Sequence, residues 1–200
     1  MKTLTFADLI EGITDLRLEF PHNPAIKKAT IDSRQAIEGS LFFALRGEHK
    51  DGHDYVADAF SRGAIVAVVE REIEIECCFL DTRREASQLK AIGFDLPVCL
   101  IVEDSLAALQ KLASYWRKRH KVRVIGVTGS VGKTTTKEMV ASVLGQRFRT
   151  LKSKENYNTE IGIPLTLLEL DPSYERVVLE MAMYDLGEIA LLAEIAQPHI

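Results

Sequence analysis

The sequence predicts an α/β protein in two parts: a small N-terminal α/β unit, then the first part of a second unit with a mostly parallel sheet. Three observations carry this expectation. Short apolar runs such as Ala64 to Val69 and Val98 to Val102 read as strands buried on both faces, as strands in parallel sheets are. Helical apolar patterns lie between such runs. From Val122 onward a strand, a glycine loop and a helix follow without a gap.

Leu4 to Ile13 opens the chain as a short amphipathic helix, with Thr5 as N-cap and Phe6, Leu9, Ile10 and Ile13 on one face. Ala29 to Asp32 and Leu41 to Leu45 read as strands, the second following Gly39-Ser40. His53 to Arg62 has helical spacing at Tyr55, Val56, Ala59 and Phe60, closes at Gly63 and leads into the strand Ala64 to Val69. In Glu70 to Pro97, Glu72, Glu74 and Glu76 alternate with apolar residues before the charged, patternless DTRREASQLK. An edge strand plus a surface excursion is expected there.

Val98 to Val102 is a strand, after which Asp104 or Ser105 caps a helix whose Leu106, Leu109, Leu112, Ala113 and Trp116 line one side and which ends near His120. The basic cluster Arg117, Lys118, Arg119 and Lys121 sits where the helix macrodipole favours cations, and reads as a solvated face rather than a nucleic-acid surface. The second unit reads as strand Val122 to Val127, helix Thr134 to Leu144, strand Arg176 to Met181 and helix Gly187 to Ala196, with Pro198-His199-Ile200 starting a further strand. The expected organisation is a domain over 1–103, a connecting helix over 104–120 and a partial domain over 121–200, because roughly 80 residues is short for a doubly wound sheet.

Composition narrows the function classes. Apolar residues form 46% of the chain and charged ones 27%, enough for a packed core. A formal charge of −4 argues against a general electrostatic hold on nucleic acid, so any phosphate must be bound locally. No apolar run approaches the roughly 18 residues of a membrane span, and Asp8 and Glu11 interrupt the N-terminal apolar residues, so a cytoplasmic protein is expected. Cys77, Cys78 and Cys99 have neither disulfide-framework nor zinc spacing and read as reduced thiols. His49 and His53 are four apart, but Gly52 makes a helix across them improbable, which removes a metal pair.

The strongest chemical signal is VRVIGVTGSVGKTTTKEM, with Gly129-Ser130-Val131-Gly132-Lys133-Thr134 placed between an apolar strand and a helix. Glycines let successive backbone N–H groups curl around a phosphate, the helix N-terminus adds a positive dipole end, and Lys133 can reach β and γ oxygens. Thr134 would offer its hydroxyl to Mg²⁺. The general pattern G-x-x-x-x-G-K-[ST] wants glycine at 127, where this chain has Val127.

The variant T-G-x-x-G-K-T-T, Thr128, Gly129, Ser130, Val131, Gly132, Lys133, Thr134 and Thr135, resembles the ATP loop of the Mur ligase superfamily, the cytoplasmic amide-forming ligases of peptidoglycan precursor synthesis. Asn156-Tyr157-Asn158-Thr159-Glu160-Ile161-Gly162-Ile163-Pro164 resembles that family's N-x-N-[NT]-x-x-G-x-P segment. Glu180-Met181-Ala182-Met183 with Gly187-Glu188-Ile189 resembles its metal-binding glutamate and following helix. Asp32-Ser33-Arg34, Gly39-Ser40-Leu41-Phe42, Gly47, Asp51-Gly52-His53 and Gly63-Ala64 resemble its UDP-binding domain, and all these stretches taken together with Lys137-Glu138-Met139 resemble the branch that adds D-alanyl-D-alanine. The likeness covers nearly the whole chain except about 70–97, which reads as an insertion.

The resemblance implies an ATP- and Mg²⁺-dependent ligase joining D-alanyl-D-alanine to UDP-N-acetylmuramoyl-tripeptide through an acyl phosphate, acting as a monomer. It implies catalytic roles for Lys133 and Glu180, metal contacts from Thr134 and Glu180, and substrate contacts from Ser33, Arg34, Asp51, His53, Asn156, Asn158 and Thr159. Family members continue into the rest of the ATPase domain and a third domain, so this chain alone is expected not to complete the reaction. Four alternatives stay open: a folylpolyglutamate-synthase-like ligase, an unrelated P-loop kinase or GTPase, a non-catalytic fragment that binds the UDP-precursor, and another Mur ligase. Against the first two stand the G-K-T-T loop in place of G-K-G-S, the N-terminal 100 residues and the missing N-K-x-D motif.

Overall fold

A computed structural model describes residues 3–84 and 97–200 and opens on helix α1 (Phe6–Thr14). Thr5 and Asp8 form a reciprocal capping box: the Thr5 hydroxyl accepts the Asp8 N–H, and the Asp8 carboxylate accepts the Thr5 N–H. Asp15, at φ 61°, ends the helix by donating its N–H to the Glu11 carbonyl. Phe6, Leu9 and Ile10 are buried as their spacing predicts.

Five strands among the described residues build the first sheet: β1 (Lys28–Thr30), β2 (Ser40–Phe43), β3 (Ala64–Val69), β4 (Cys78–Asp81) and β5 (Val98–Ile101), in the order β1-β2-β3-β5-β4. All pairings are parallel. β2 and β5 are buried at every residue and β3 at all but Ile65, which explains their unbroken apolar sequence. A 3₁₀ turn at Gly52–Tyr55 leads into α2 (Val56–Ser61), so the helix expected from His53 begins as a tighter coil. Phe42, Val56, Ala59, Ala67, Cys99 and Ile101 pack into one core cluster.

The edge strand expected within 70–97 is β4, which follows the glutamate alternation instead of coinciding with it. β4 occupies Cys78–Asp81, whereas 71–77 forms bends, including a tight bond from the Ile75 N–H to the Ile73 carbonyl. Ile73, Ile75 and Cys77 nevertheless pack on the core cluster, so the period of two reflects burial of alternate residues in a non-strand segment. The expected excursion over 85–96 lies outside the described residues. Both edge strands finish on the same local device. In Asp32-Ser33-Arg34, following β1, the Asp32 carboxylate accepts the Arg34 N–H at 3.1 Å and the guanidinium at 2.9 and 2.8 Å. In Asp81-Thr82-Arg83, ending β4, the matching distances are 3.1, 2.8 and 2.8 Å.

The chain divides into two units, Thr3–Leu109 and residues from Gln110 to Ile200, and the division falls inside helix α3 (Ser105–Lys118). Asp104 caps α3 by accepting the N–H groups of Leu106 and Ala107. Arg117 corrects the solvated-face reading of the basic cluster. Its guanidinium is buried and donates to the carbonyls of Ala196 and His120, and burial lowers its pKa.

The second unit holds β6 (Arg123–Val127), β7 (Thr150–Lys152) and β8 (Arg176–Glu180) in the order β6-β8-β7, again parallel. Helices α4 (Lys133–Gly145), α5 (Gly162–Leu167) and α6 (Glu188–Ala196) accompany them. β7 and α5 are additions to the sequence reading. At Pro198-His199-Ile200 the His199 N–H reaches the Val124 carbonyl and the Gly126 N–H the Ile200 carbonyl, so the chain runs beside β6 there.

Candidate functional site

The parallel register sets Val127 opposite Glu180, so the ends of β6 and β8 open side by side at the carboxyl edge of the sheet. From that edge Thr128 to Gly132 leave β6 as an exposed loop, and α4 begins at Lys133. Gly129 has φ 141° and Gly132 has φ 81°, conformations that L side chains rarely adopt. Nothing lies within 4 Å of where either Cβ would stand, so backbone conformation and not crowding demands glycine here. Ser130, Val131, Thr134 and Thr135 are exposed. Lys133 folds back so that its ammonium donates to the Gly129 carbonyl at 2.8 Å, across the mouth of the loop.

Glu180 is only 6% exposed, unlike a strand-end carboxylate in free solvent. Its Oε1 accepts the Asn158 side-chain amide at 3.0 Å, its N–H donates to the Ser153 hydroxyl at 3.1 Å, and Oε2 lies 3.9 Å from the Lys137 ammonium. The Asn158 carbonyl in turn accepts the Ala182 N–H. Asn158 thus holds a protein carboxylate with the group expected to orient a ligand. Asn156, exposed at φ 64°, makes the turn before it, and the Thr159 carbonyl accepts the Ile163 N–H at the start of α5. At Gly162 a Cβ would stand 2.4 Å from the Tyr157 Cα, so this glycine lets the 156–162 segment close on itself.

The donor set suits a hard divalent cation. Glu180 and Thr134 offer oxygens beside the glycine loop, and Mg²⁺ is usually held by one or two carboxylates together with phosphate oxygens and water. No group of three or more His, Cys, Asp or Glu residues among the described residues makes a self-sufficient metal cage. A groove of about 890 Å³ between β6 and α4 lies apart from this chemistry: its walls include Ile125, Met139, Val140, Val143 and Phe148 but no loop residue.

The first unit treats its candidate residues differently. Arg34 is exposed, with its guanidinium forked on Asp32, which it holds at a pKa of about 2. Ser33 is buried, and Arg62 together with the Ser33 hydroxyl lowers the Asp58 pKa. Asp51 caps the 3₁₀ turn at the His53 N–H and meets Arg71 at 3.0 Å. His53 requires a correction. Its side chain is fully buried, Nδ1 lies 2.5 Å from Asp51 Oδ1, and Nε2 accepts the Glu70 N–H at 2.9 Å. Both ring nitrogens are occupied, so His53 is a tie between the turn and the end of β3, not a ligand contact.

Sequence reasoning missed two members of the Glu180 cluster, Ser153 and the buried Lys137. A signal for Lys137 exists: Lys137, Ala141 and Leu144 lie four and three residues apart on α4, so the helical period places a lysine on the inward stripe. No comparable pattern marks Ser153.

Residues 25–117 match the family model described as "Mur ligase family, catalytic domain", and residues 127–200 match "Mur ligase middle domain". The chain is 45% identical, over 88% of its own length and 35% of the relative's, to a Synechocystis protein named UDP-N-acetylmuramoyl-tripeptide–D-alanyl-D-alanine ligase. A crystal structure of MurF from Acinetobacter baumannii superposes with TM-score 0.78 at 33% identity, covering 100% of this chain and 40% of that one. MurF ligase from Thermotoga maritima, solved in complex with ADP, gives TM-score 0.68 at 34% identity, covering 86% and 36%. The chain therefore spans little more than a third of the length of such relatives.

Proposed function

Because the chain belongs to the Mur ligase family, we propose that it carries the precursor-binding unit and the phosphate-loop portion of an ATP-dependent ligase. The substrates on this reading are UDP-N-acetylmuramoyl-tripeptide and D-alanyl-D-alanine, the pair named for the Synechocystis relative. The observation that carries the reading is the parallel register of β6 and β8, which puts the phosphate loop and a buried, oriented Glu180 at one sheet edge.

A carboxylate resists amide formation until one of its oxygens becomes a good leaving group, and phosphoryl transfer from ATP achieves that. Two anions must meet, so catalysis consists of positioning and charge screening. The backbone N–H groups of the loop and the N-terminus of α4 would receive the β and γ phosphates. Lys133, released from the Gly129 carbonyl, would follow the transferred group. Glu180 and Thr134 would hold Mg²⁺, which when bound supplies positive charge between phosphate oxygens. In the first unit, Arg34 on its Asp32 fork is the exposed side chain we assign to the diphosphate of the UDP-precursor.

Calorimetric titration of the 200-residue chain with ADP and Mg²⁺ tests the loop assignment. Saturable binding is expected, weakened by roughly two orders of magnitude in Lys133→Ala with the fold intact. Equal affinity in the two proteins would remove Lys133 from the phosphate site. In the full-length protein, mass-spectrometric detection of ligated UDP-pentapeptide tests the reaction itself.

A further inference from the structure

Lys137 is among the largest fully buried side chains of the protein, at 1% exposure, and no step above uses it. A buried ammonium without partners is expensive, so its surroundings explain why it is tolerated. It donates to the Ser153 carbonyl at 3.0 Å, lies 3.2 Å from Glu138 Oε1 and 3.9 Å from Glu180 Oε2. Its three partners come from α4, the segment after β7 and the end of β8, the elements that frame the phosphate loop. Ser153 touches Glu180 a second time, because its hydroxyl accepts the Glu180 N–H. Asn158 holds one carboxylate oxygen and Lys137 stands beside the other.

We propose that Lys137 is a positioning residue for Glu180: anchored on the Ser153 carbonyl, its ammonium supplies the buried counter-charge that keeps this carboxylate at the sheet edge in a fixed orientation. The proposal rests on the reading of the loop and Glu180 as a nucleotide and metal site, and adds a residue acting through Glu180. The physical logic is asymmetric. Removing one member of a buried ion pair leaves the other uncompensated, whereas removing both is far less costly. A carboxylate without its counter-charge turns away from the apolar interior and from the place where a cation would meet it. Loss of such an outer partner typically costs 10-fold or more in metal affinity.

Two measurements on the 200-residue chain separate this from a generic packing role. ADP affinity is titrated with Mg²⁺ and again with EDTA, in wild type and Lys137→Met, a substitution that keeps the unbranched stem and removes the charge. The expected result is a loss of about 10-fold in Mg²⁺ and little change in EDTA, because only the metal-dependent part passes through Glu180. A similar loss under both conditions, or a Mg²⁺ gain that survives intact, overturns the proposal.

Thermal melting of Lys137→Met, Glu180→Gln and the double variant, without nucleotide, is the second measurement. Lys137→Met should lower Tm, and adding Glu180→Gln should recover most of the loss. Additive shifts overturn the proposal. If the wild-type chain binds no ADP, the reading of the loop fails, and the melting cycle still decides whether Lys137 and Glu180 act as a pair.

Discussion

At the carboxyl ends of the first sheet, charged and polar side chains satisfy one another; at the carboxyl ends of the second, the loop from Thr128 to Gly132 is exposed. Asp32 is closed by Arg34, Asp81 by Arg83, and Asp51 by His53 and Arg71. The loop from Thr128 to Gly132 has no comparable closure apart from the Lys133 ammonium lying on its own Gly129 carbonyl. The difference teaches where rigidity is placed. In the first unit the side chains are the fasteners. In the second the fasteners sit in the buried Lys137, Ser153 and Glu180 with Asn158, and the loop residues Thr128 to Val131 are exposed.

If the first unit is fastened by these pairs, His53→Ala should be the most damaging single change there. It removes a buried ring and leaves the Glu70 N–H and the Asp51 carboxylate short of a partner, so a loss of about 3 kcal/mol is expected in denaturant unfolding of that unit. A loss below about 1 kcal/mol would mean that the tie between the turn and β3 is dispensable. Gly162→Ala tests the buried layer of the second unit. Its Cβ would overlap the Tyr157 backbone, so about 2 kcal/mol should be lost. The same shift should displace Asn158 and weaken Mg²⁺-dependent ADP binding.

The acid limb sharpens the comparison further. Partial burial pushes Asp51 up, but the His53 N–H, the His53 ring and Arg71 outweigh it and bring Asp51 to about 2; the Arg34 guanidinium brings Asp32 to about 2. Both values lie below the ordinary 3.8, so in this range the unfolded chain binds more protons than the folded one and stability falls with pH. Their contribution is complete above about pH 4 and disappears as pH falls through about 2. Melting curves from pH 5 to pH 2 should show that decline, and Asp51→Asn should flatten part of it. Arg34→Ala is expected to have the smallest effect on stability, since its pair with Asp32 is largely exposed and screened by solvent. Tm at neutral pH should fall only slightly and Asp32's small share of the acid decline should vanish, while affinity of the chain for UDP-N-acetylmuramoyl-tripeptide should fall; unchanged affinity would detach Arg34 from the precursor site.

Elements whose apolar period matches one environment were legible in the sequence. α1, β3, β5, α3 and β6 stand within a residue or two of their expected places because their burial is continuous or one-faced. The glycine loop after β6 was legible for a different reason: positive φ at Gly129 and Gly132 is a backbone demand that the glycines themselves announce. β7 and α5 escaped detection because three residues of strand and six residues of helix, the latter buried on all sides, carry too little period to distinguish them from loop. The glutamate alternation misled for the converse reason, since alternate burial without a pairing partner does not make a strand.

Local chemistry along the chain therefore determined the α/β class, the loop that would take a phosphate and the emergence of Glu180 at a strand end. Those follow from interactions within a few residues: caps, glycine conformations and hydrophobic period. Tertiary structure alone decided that Glu180 is buried, that Lys137 and Asn158 flank its two oxygens, and that His53 is a structural tie. Each of those depends on residues 16 to 43 positions apart being brought into contact, as Lys137 is with Ser153 and Glu180, Asn158 with Glu180, and His53 with Glu70. Such contacts arise from the parallel crossover connections, which join strand ends distant in sequence and leave no periodic trace in it.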